Sequence, residues 1–227
     1  MILAAHQPAY LPWLGYFEKI ARADVFVYLD TVQFEKNSFT NRNKIKTSQG
    51  AQWLTIPVKT KGHIGNTLRN TFLNDTQNWR IKHLKSVEMN YRKSPYFQEL
   101  FPKLQTLLIC QETNLSELCW NQLQFWLTEL DIKTKLVKSS ELQVTTRKSD
   151  LVLDLCQHFV ADQYLSGALG KNYLDENAFL QAGITIEYQD FKHPIYPQLW
   201  GEFEPYMGIV DYWMNCGSDF KNIFKEC

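Results

Sequence analysis

The chain has 227 residues, of which 44% are hydrophobic and 14% aromatic, enough to bury a sizeable core within one large domain or one and a half. Lys and Arg number 24, Asp and Glu also number 24, and the resulting net charge of +0 argues against the broad basic footprint of a nucleic-acid-binding protein. No apolar run approaches the roughly 18 residues of a membrane span, no basic leader precedes the first strand at Ile2, and five scattered cysteines lack any C-x-x-C pair. These features predict a soluble cytoplasmic protein with free thiols, a small-molecule substrate, no nucleic-acid partner and no membrane span. A homo-oligomer is left open.

Ile2 to Ala5 is a short apolar run that predicts a buried strand ending in His6 and Gln7. A turn rich in proline and aromatics follows, with Pro8, Tyr10, Pro12 and Trp13. Pro12 suits the first turn of a helix, and Trp13, Phe17, Ile20 and Ala21 recur at helical spacing. Val25 to Leu29 is apolar throughout, which suits a central parallel strand covered on both faces; it ends in Asp30. A polar loop carries Gln33 and Asn41 to Lys44. Gln52 to Val58 and Thr67 to Leu73 read as strands of a hairpin-like excursion, joined by a Gly-rich turn over Lys59 to Asn66.

Helices then dominate. Asn74 or Asp75 caps one that runs through Asn90, Ser94 with Pro95 opens a second, and Asn114 with Glu117 has capping-box spacing for a third, to about Leu130. The α/β rhythm returns with strands at Lys135 to Lys138, Gln163 to Leu165 and Ile184 to Tyr188. Helices are predicted at Arg147 to Val160, Leu174 to Gln181 and Met207 to Asn215. The sum is a three-layer α/β fold, nucleotide-binding-like, with about five mostly parallel strands. It forms a single domain over 1–227 with a helical insertion or subdomain at 74–131.

Ligand sites of open parallel sheets lie at the carboxyl ends of strands, and the reactive side-chain types gather there. His6 can act as a general base or polarise an oxygen. Gln7, Tyr10, Trp13 and Tyr16 cluster near it in sequence. Asp30 could orient His6, accept from a hydroxyl or ligate a metal. Asn41, Arg42, Asn43 and Lys44 form a candidate anion clamp. Ser166, Gly167 and Gly170 follow a strand and allow a ligand close to the backbone. The loop is neither a Walker loop nor a nucleophile elbow, since Gly170-Lys171 lacks the spacer and Tyr164 stands where G-x-S-x-G needs glycine. His193 and Gln198 follow the last strand. No zinc motif is present, and a metal set of His6, Asp30 and His193 remains a conjecture.

The first strand-helix unit is similar to the nucleotide-binding fold of adenylate-forming and nucleotidyl-transferring enzymes, but without a His-x-Gly-His, which argues against nucleotidyl transfer. More specifically, His6-Gln7-Pro8-x-Tyr10-x-Pro12-Trp13-x-Gly15-Tyr16-Phe17, Leu29-Asp30-x-Val32-Gln33-Phe34 and Asn41-Arg42-Asn43 resemble the WbqC-like protein family. So do Tyr164-Leu165-Ser166-Gly167-x-x-Gly170-x-x-Tyr173-Leu174-Asp175 and His193-Pro194-x-Tyr196-x-Gln198. The resemblance covers nearly the whole chain, loosens at Met207 to Asp211, and adds Tyr173 and Asp175 to the candidate site. It implies a step on a sugar precursor for O-antigen or another surface polysaccharide.

The leading expectation is therefore acyl or aminoacyl transfer to a nucleotide-activated amino sugar or similar anionic metabolite. His6 and Asp30 would be catalytic and the other named residues would bind substrate. An adenylate-forming or nucleotidyl transferase is one alternative, and a non-catalytic sugar-nucleotide binder or scaffold another. The cofactor is left open between ATP with magnesium and an acyl donor.

Overall fold

The computed structural model describes residues 1–59 and 65–220. Five short strands form a wholly parallel sheet: β1 (Ile2–His6), β2 (Val25–Tyr28), β5 (Lys135–Lys138), β6 (Gln163–Ser166) and β7 (Thr185–Tyr188), in the order β5-β2-β1-β6-β7. Leu3 to Ala5 and every residue of β2 are buried, so both faces of the central strands are covered, as a continuous apolar run requires. Seven helices occur among the described residues: α1 (Leu14–Ala21), α2 (Trp79–Tyr91), α3 (Phe97–Leu108), α4 (Leu115–Glu129), α5 (Lys148–His158), α6 (Glu176–Gln181) and α7 (Ile209–Cys216). A separate antiparallel pair is made by β3 (Arg42–Thr47) and β4 (Gly50–Thr55).

The chain divides into two compact units. The first comprises Met1–Gln7, Gly15–Thr31 and Ile132–Lys192 and holds the parallel sheet; the second comprises Pro8–Leu14, Val32–Asp131 and the chain from His193 on. In the first unit, α5 buries Leu151, Val152, Leu155 and Cys156. Asp175 caps α6 by accepting from the Asn177 and Ala178 amides, and Gly183, with φ +74°, closes it in the left-handed region. In the second unit, Asn114 caps α4 through the Glu117 amide at 3.1 Å, as its spacing predicts. Trp126 and Trp213 meet edge to face at 4.9 Å.

Several expected elements are corrected. Asn41 to Lys44 is no loop: Arg42 begins β3, which pairs with β4. Ile45 is the only large apolar residue of β3, and the other buried positions are Asn43 and Lys46, so no hydrophobic alternation announces the strand. Thr67 to Leu73 is a 3-10 turn at Leu68–Asn70 flanked by isolated bridges, not a strand; the turn expected over Lys59 to Asn66 lies mostly outside the described residues. β4 stops at Thr55, short of Pro57, which has no amide to donate. Ser94 closes α2 rather than opening α3, its hydroxyl donating to the Tyr91 carbonyl at 2.7 Å. Asn74 caps only a 3-10 turn, Asp75–Gln77, and α2 starts after Asn78, where φ is +47°. Cys110, Cys119, Cys156 and Cys216 are free thiols; Cys227 lies outside the described residues. No helix among the described residues is long and apolar enough to cross a membrane.

The second unit is tied together by one buried carboxylate. Asp211 on α7 is 0% exposed. Its oxygens accept from Tyr91 Oη at 2.6 Å, Tyr196 Oη at 2.8 Å and Gln198 Nε2 at 2.7 Å. Gln198 in turn accepts from Lys46 Nζ at 2.9 Å, and Tyr91 Oη accepts from the Lys46 amide at 2.8 Å. Burial raises the Asp211 pKa, and the three donors pull it back. Asp211→Ala is expected to lower stability to urea by about 2–4 kcal/mol, since it strands two hydroxyls and an amide, while Asp211→Asn recovers part of the loss. An unchanged unfolding midpoint for Asp211→Ala would show that the network is not a stabilising link.

Candidate functional site

In a doubly wound sheet the ligand crevice lies beyond the carboxyl ends of the strands, where strand order reverses. Here that point falls between β1 and β6, which pair from Ile2↔Gln163 to Ala4↔Leu165. β1 delivers His6 and Gln7 to the edge, and β6 delivers Ser166 and Gly167. The His6 ring is half-buried, and its Nδ1 lies 2.8 Å from the Gln7 carbonyl oxygen. A carbonyl only accepts, so Nδ1 carries the proton and the lone pair sits on Nε2. Tyr16 meets the ring edge-on at 5.0 Å. Burial, then the neighbouring Lys19 charge, hold the His6 pKa down at about 3 against the smaller effect of the Gln7 bond. The imidazole is neutral at pH 7.

Behind this edge stands a charged pair on α1. Lys19 is 2% exposed, and its Nζ donates to the Ala5 carbonyl at 3.1 Å. Burial lowers its pKa from 10.5 to about 7, opposed by the Glu18 carboxylate. Glu18 is also buried; it pairs with Arg22 at 3.1 Å and accepts from Gln189 Nε2.

The loop after β6 is shaped by its glycines. Ser166 is 1% exposed and donates its hydroxyl to the Gly167 carbonyl at 3.0 Å. A Cβ on Gly170 would lie 1.9 Å from Ser166 Oγ. The close approach expected of this loop is thus made by its own side chain at Gly170. Tyr173 is exposed beyond the turn. Asp175 spends its carboxylate on capping α6. Asp30, at the end of β2, is 1% exposed. It accepts from Ser139 Oγ at 2.8 Å, the Ser140 amide at 2.9 Å and Ser140 Oγ at 2.5 Å. Its three donors make it the clamp of the turn that follows β5, while the Nδ1 side of His6 is set by the Gln7 carbonyl.

In the second unit, strand geometry splits the expected Asn-Arg-Asn-Lys clamp. Side chains alternate along β3. Asn43 faces inward and donates to the Tyr10 and Leu11 carbonyls at 3.2 and 2.7 Å; Asn41 donates to the Ile56 carbonyl at 2.9 Å. Arg42 and Lys44 share the other face, 4.2 and 5.2 Å from the Trp53 ring. Trp53 continues to Phe39 at 5.7 Å and Phe39 to Trp13 at 5.3 Å. The result is a partly exposed strip of three aromatic rings carrying two cations.

The other expected residues are more varied. Tyr10 is fully buried against His83, with Oη 2.9 Å from Nδ1. Gln33 is exposed beside its bridge to Thr67. His193 sits among Tyr196, Phe203 and Tyr206, and Gln198 belongs to the Asp211 network. Among the described residues no group of three or more His, Cys, Asp or Glu side chains could hold a metal ion, so His6, Asp30 and His193 are not assembled as metal ligands. Lys19 and Trp53 were not among the expected residues. Lys19 is hidden because a helix read as having one apolar face leaves it on the polar side, whereas α1 is buried from Leu14 to Ile20.

Comparison with known proteins agrees with the motifs. The model of the WbqC-like protein family matches residues 7–223. A protein of Mycobacterium tuberculosis (strain ATCC 25618 / H37Rv), named "Uncharacterized protein Rv1507c", is 36% identical over 227 residues, covering 99% of this chain and 98% of its own. No solved structure matches.

Gly170→Ala is expected to cost about 1–3 kcal/mol in urea unfolding, because the new methyl group overlaps Ser166. Ser166→Gly in the same background should recover most of it; no recovery would place the strain elsewhere. Acid is the second test. His6 binds its proton less tightly when folded, at about 3 against 6.5. The unfolded chain therefore holds more protons between those values, and stability falls as pH drops through that window. His6→Gln should lose about 1–3 kcal/mol less than the wild type between pH 6.5 and 4; parallel curves would contradict the assignment.

Proposed function

The chain belongs to the WbqC-like protein family, and we propose that it is an enzyme of bacterial surface-polysaccharide synthesis that transfers an acyl or aminoacyl group to the amine of a nucleotide-activated amino sugar. The observation that carries this reading is the His6 imidazole at the end of β1, its Nδ1 on the Gln7 carbonyl and its strand paired with β6. The family's association with gene clusters for O-antigen and related polysaccharides supports the sugar context.

In this reading the sugar amine attacks the carbonyl carbon of a thioester or ester donor. A carbon–nitrogen bond forms, the bond from that carbon to sulfur or oxygen breaks, and one proton must move from nitrogen to the leaving group. His6 Nε2 takes that proton and returns it. Burial keeps the imidazole unprotonated, and the anionic nucleotide bound beside it raises its basicity toward the range a general base needs. The Nδ1 bond to the Gln7 carbonyl fixes the tautomer that this role needs. The nucleotide diphosphate is taken by the loop from Ser166 to Gly170. Asp30 is a positioning residue that holds the turn after β5. The second unit carries an anion-binding face of its own, Arg42 and Lys44 over Trp53.

Complementation tests the reading. In a deletion strain, His6→Ala is expected to abolish the polysaccharide phenotype and Arg42→Ala to weaken it, with both proteins folded and expressed. Full complementation by folded His6→Ala would sink the assignment.

A further inference from the structure

Lys19 has no part in the proton transfer above, yet its amine reaches the backbone of β1 at Ala5, one residue before His6. Among the described residues its hydrogen-bond acceptor is the Ala5 carbonyl, 3.1 Å away; an ammonium carries three protons, so two remain for another acceptor. The amine is 2% exposed, and half-buried Gly167 adjoins it.

Nothing in the fold calls for glycine at 167. Its φ is −69°, open to any residue. An added Cβ would meet only Lys19 Nζ, at 3.9 Å, an ordinary contact. Gly170 is the opposite case, since a Cβ there would strike Ser166 Oγ at 1.9 Å. One glycine of the loop is fixed by packing. The other leaves a space beside a buried amine.

We propose that Lys19 binds a phosphate oxygen of the ligand through the space that Gly167 leaves open. The proposal rests on the reading that the ligand of this edge is a nucleotide diphosphate. It gives Gly167 a reason that the fold alone does not supply, and it explains a lysine within the buried stretch of α1 from Leu14 to Ile20. The titratable groups that bear on Lys19 are His6 from β1 and Glu18 from its own helix, the latter engaged by Arg22 and Gln189; β6 presents Ser166 and Gly167 and adds no charge. With its pKa held near 7 by burial, the amine is mostly neutral at pH 8, and an arriving phosphate favours the ammonium. Binding therefore draws in a proton.

Isothermal titration of pyrophosphate into the full chain at pH 8, in two buffers of different ionisation heat, tests this. The wild type is expected to take up about one proton on binding. Lys19→Met, which replaces a buried amine with an apolar side chain of similar length, should bind ~10-fold or more weakly and take up none. Gly167→Ala should unfold at the same urea concentration as the wild type and bind ~3-fold or more weakly. The inference is overturned if folded Gly167→Ala binds as the wild type does, if Lys19→Met keeps the proton uptake, or if the wild type does not bind pyrophosphate at millimolar concentration. The acyl-transfer reading is judged separately, by complementation with His6→Ala.

Discussion

β1 pairs in parallel on both sides, with β2 through Leu3↔Val25 to His6↔Tyr28 and with β6 through Ile2↔Gln163 to Ala4↔Leu165. A strand in that position has no free edge, and its two faces are covered as well, so Leu3 to Ala5 must be apolar and small enough to pack. The constraint ends with the strand. The ladder with β2 ends at His6, which pairs with Tyr28. The sheet order reverses between β1 and β6, the place where open parallel sheets carry ligands at the carboxyl ends of their strands. His6 and Gln7 are brought there by β1, Ser166 and Gly167 by β6, and Lys19 by its bond to Ala5.

Buried polar groups separate into two kinds in this protein. Asp30, Asn43 and Asp211 each meet two or more donors or acceptors. Groups so fully engaged stabilise turns and caps, and releasing one for chemistry would cost a broken network. Burial shifts His6 and Lys19 toward the neutral form, and each meets a backbone carbonyl, of Gln7 and of Ala5.

The parallel sheet was legible because its strands are short apolar runs that end in polar residues, and Asn114 and Gly183 marked helix boundaries by capping chemistry. What was not legible follows from burial of polar residues. β3 is a strand whose inward positions include Asn43, satisfied by the Tyr10 and Leu11 carbonyls instead of by apolar neighbours; alternation of hydrophobicity cannot reveal it. Once it is a strand, the Asn-Arg-Asn-Lys run divides between two faces, and only Arg42 and Lys44 remain together on Trp53. The motif residues His6 and Ser166 were identified by their place after strands. Lys19 was missed because its importance depends on α1 being covered all round, which no single helical stripe predicts.

If the edge beyond β1 and β6 modifies a nucleotide-activated amino sugar, a strain lacking the protein will accumulate, by mass spectrometry of its nucleotide-sugar pools, an amino-sugar nucleotide with a free amine and lose the acylated or aminoacylated form. Unchanged pools alongside an altered surface polysaccharide would contradict it and favour a binding or scaffolding role.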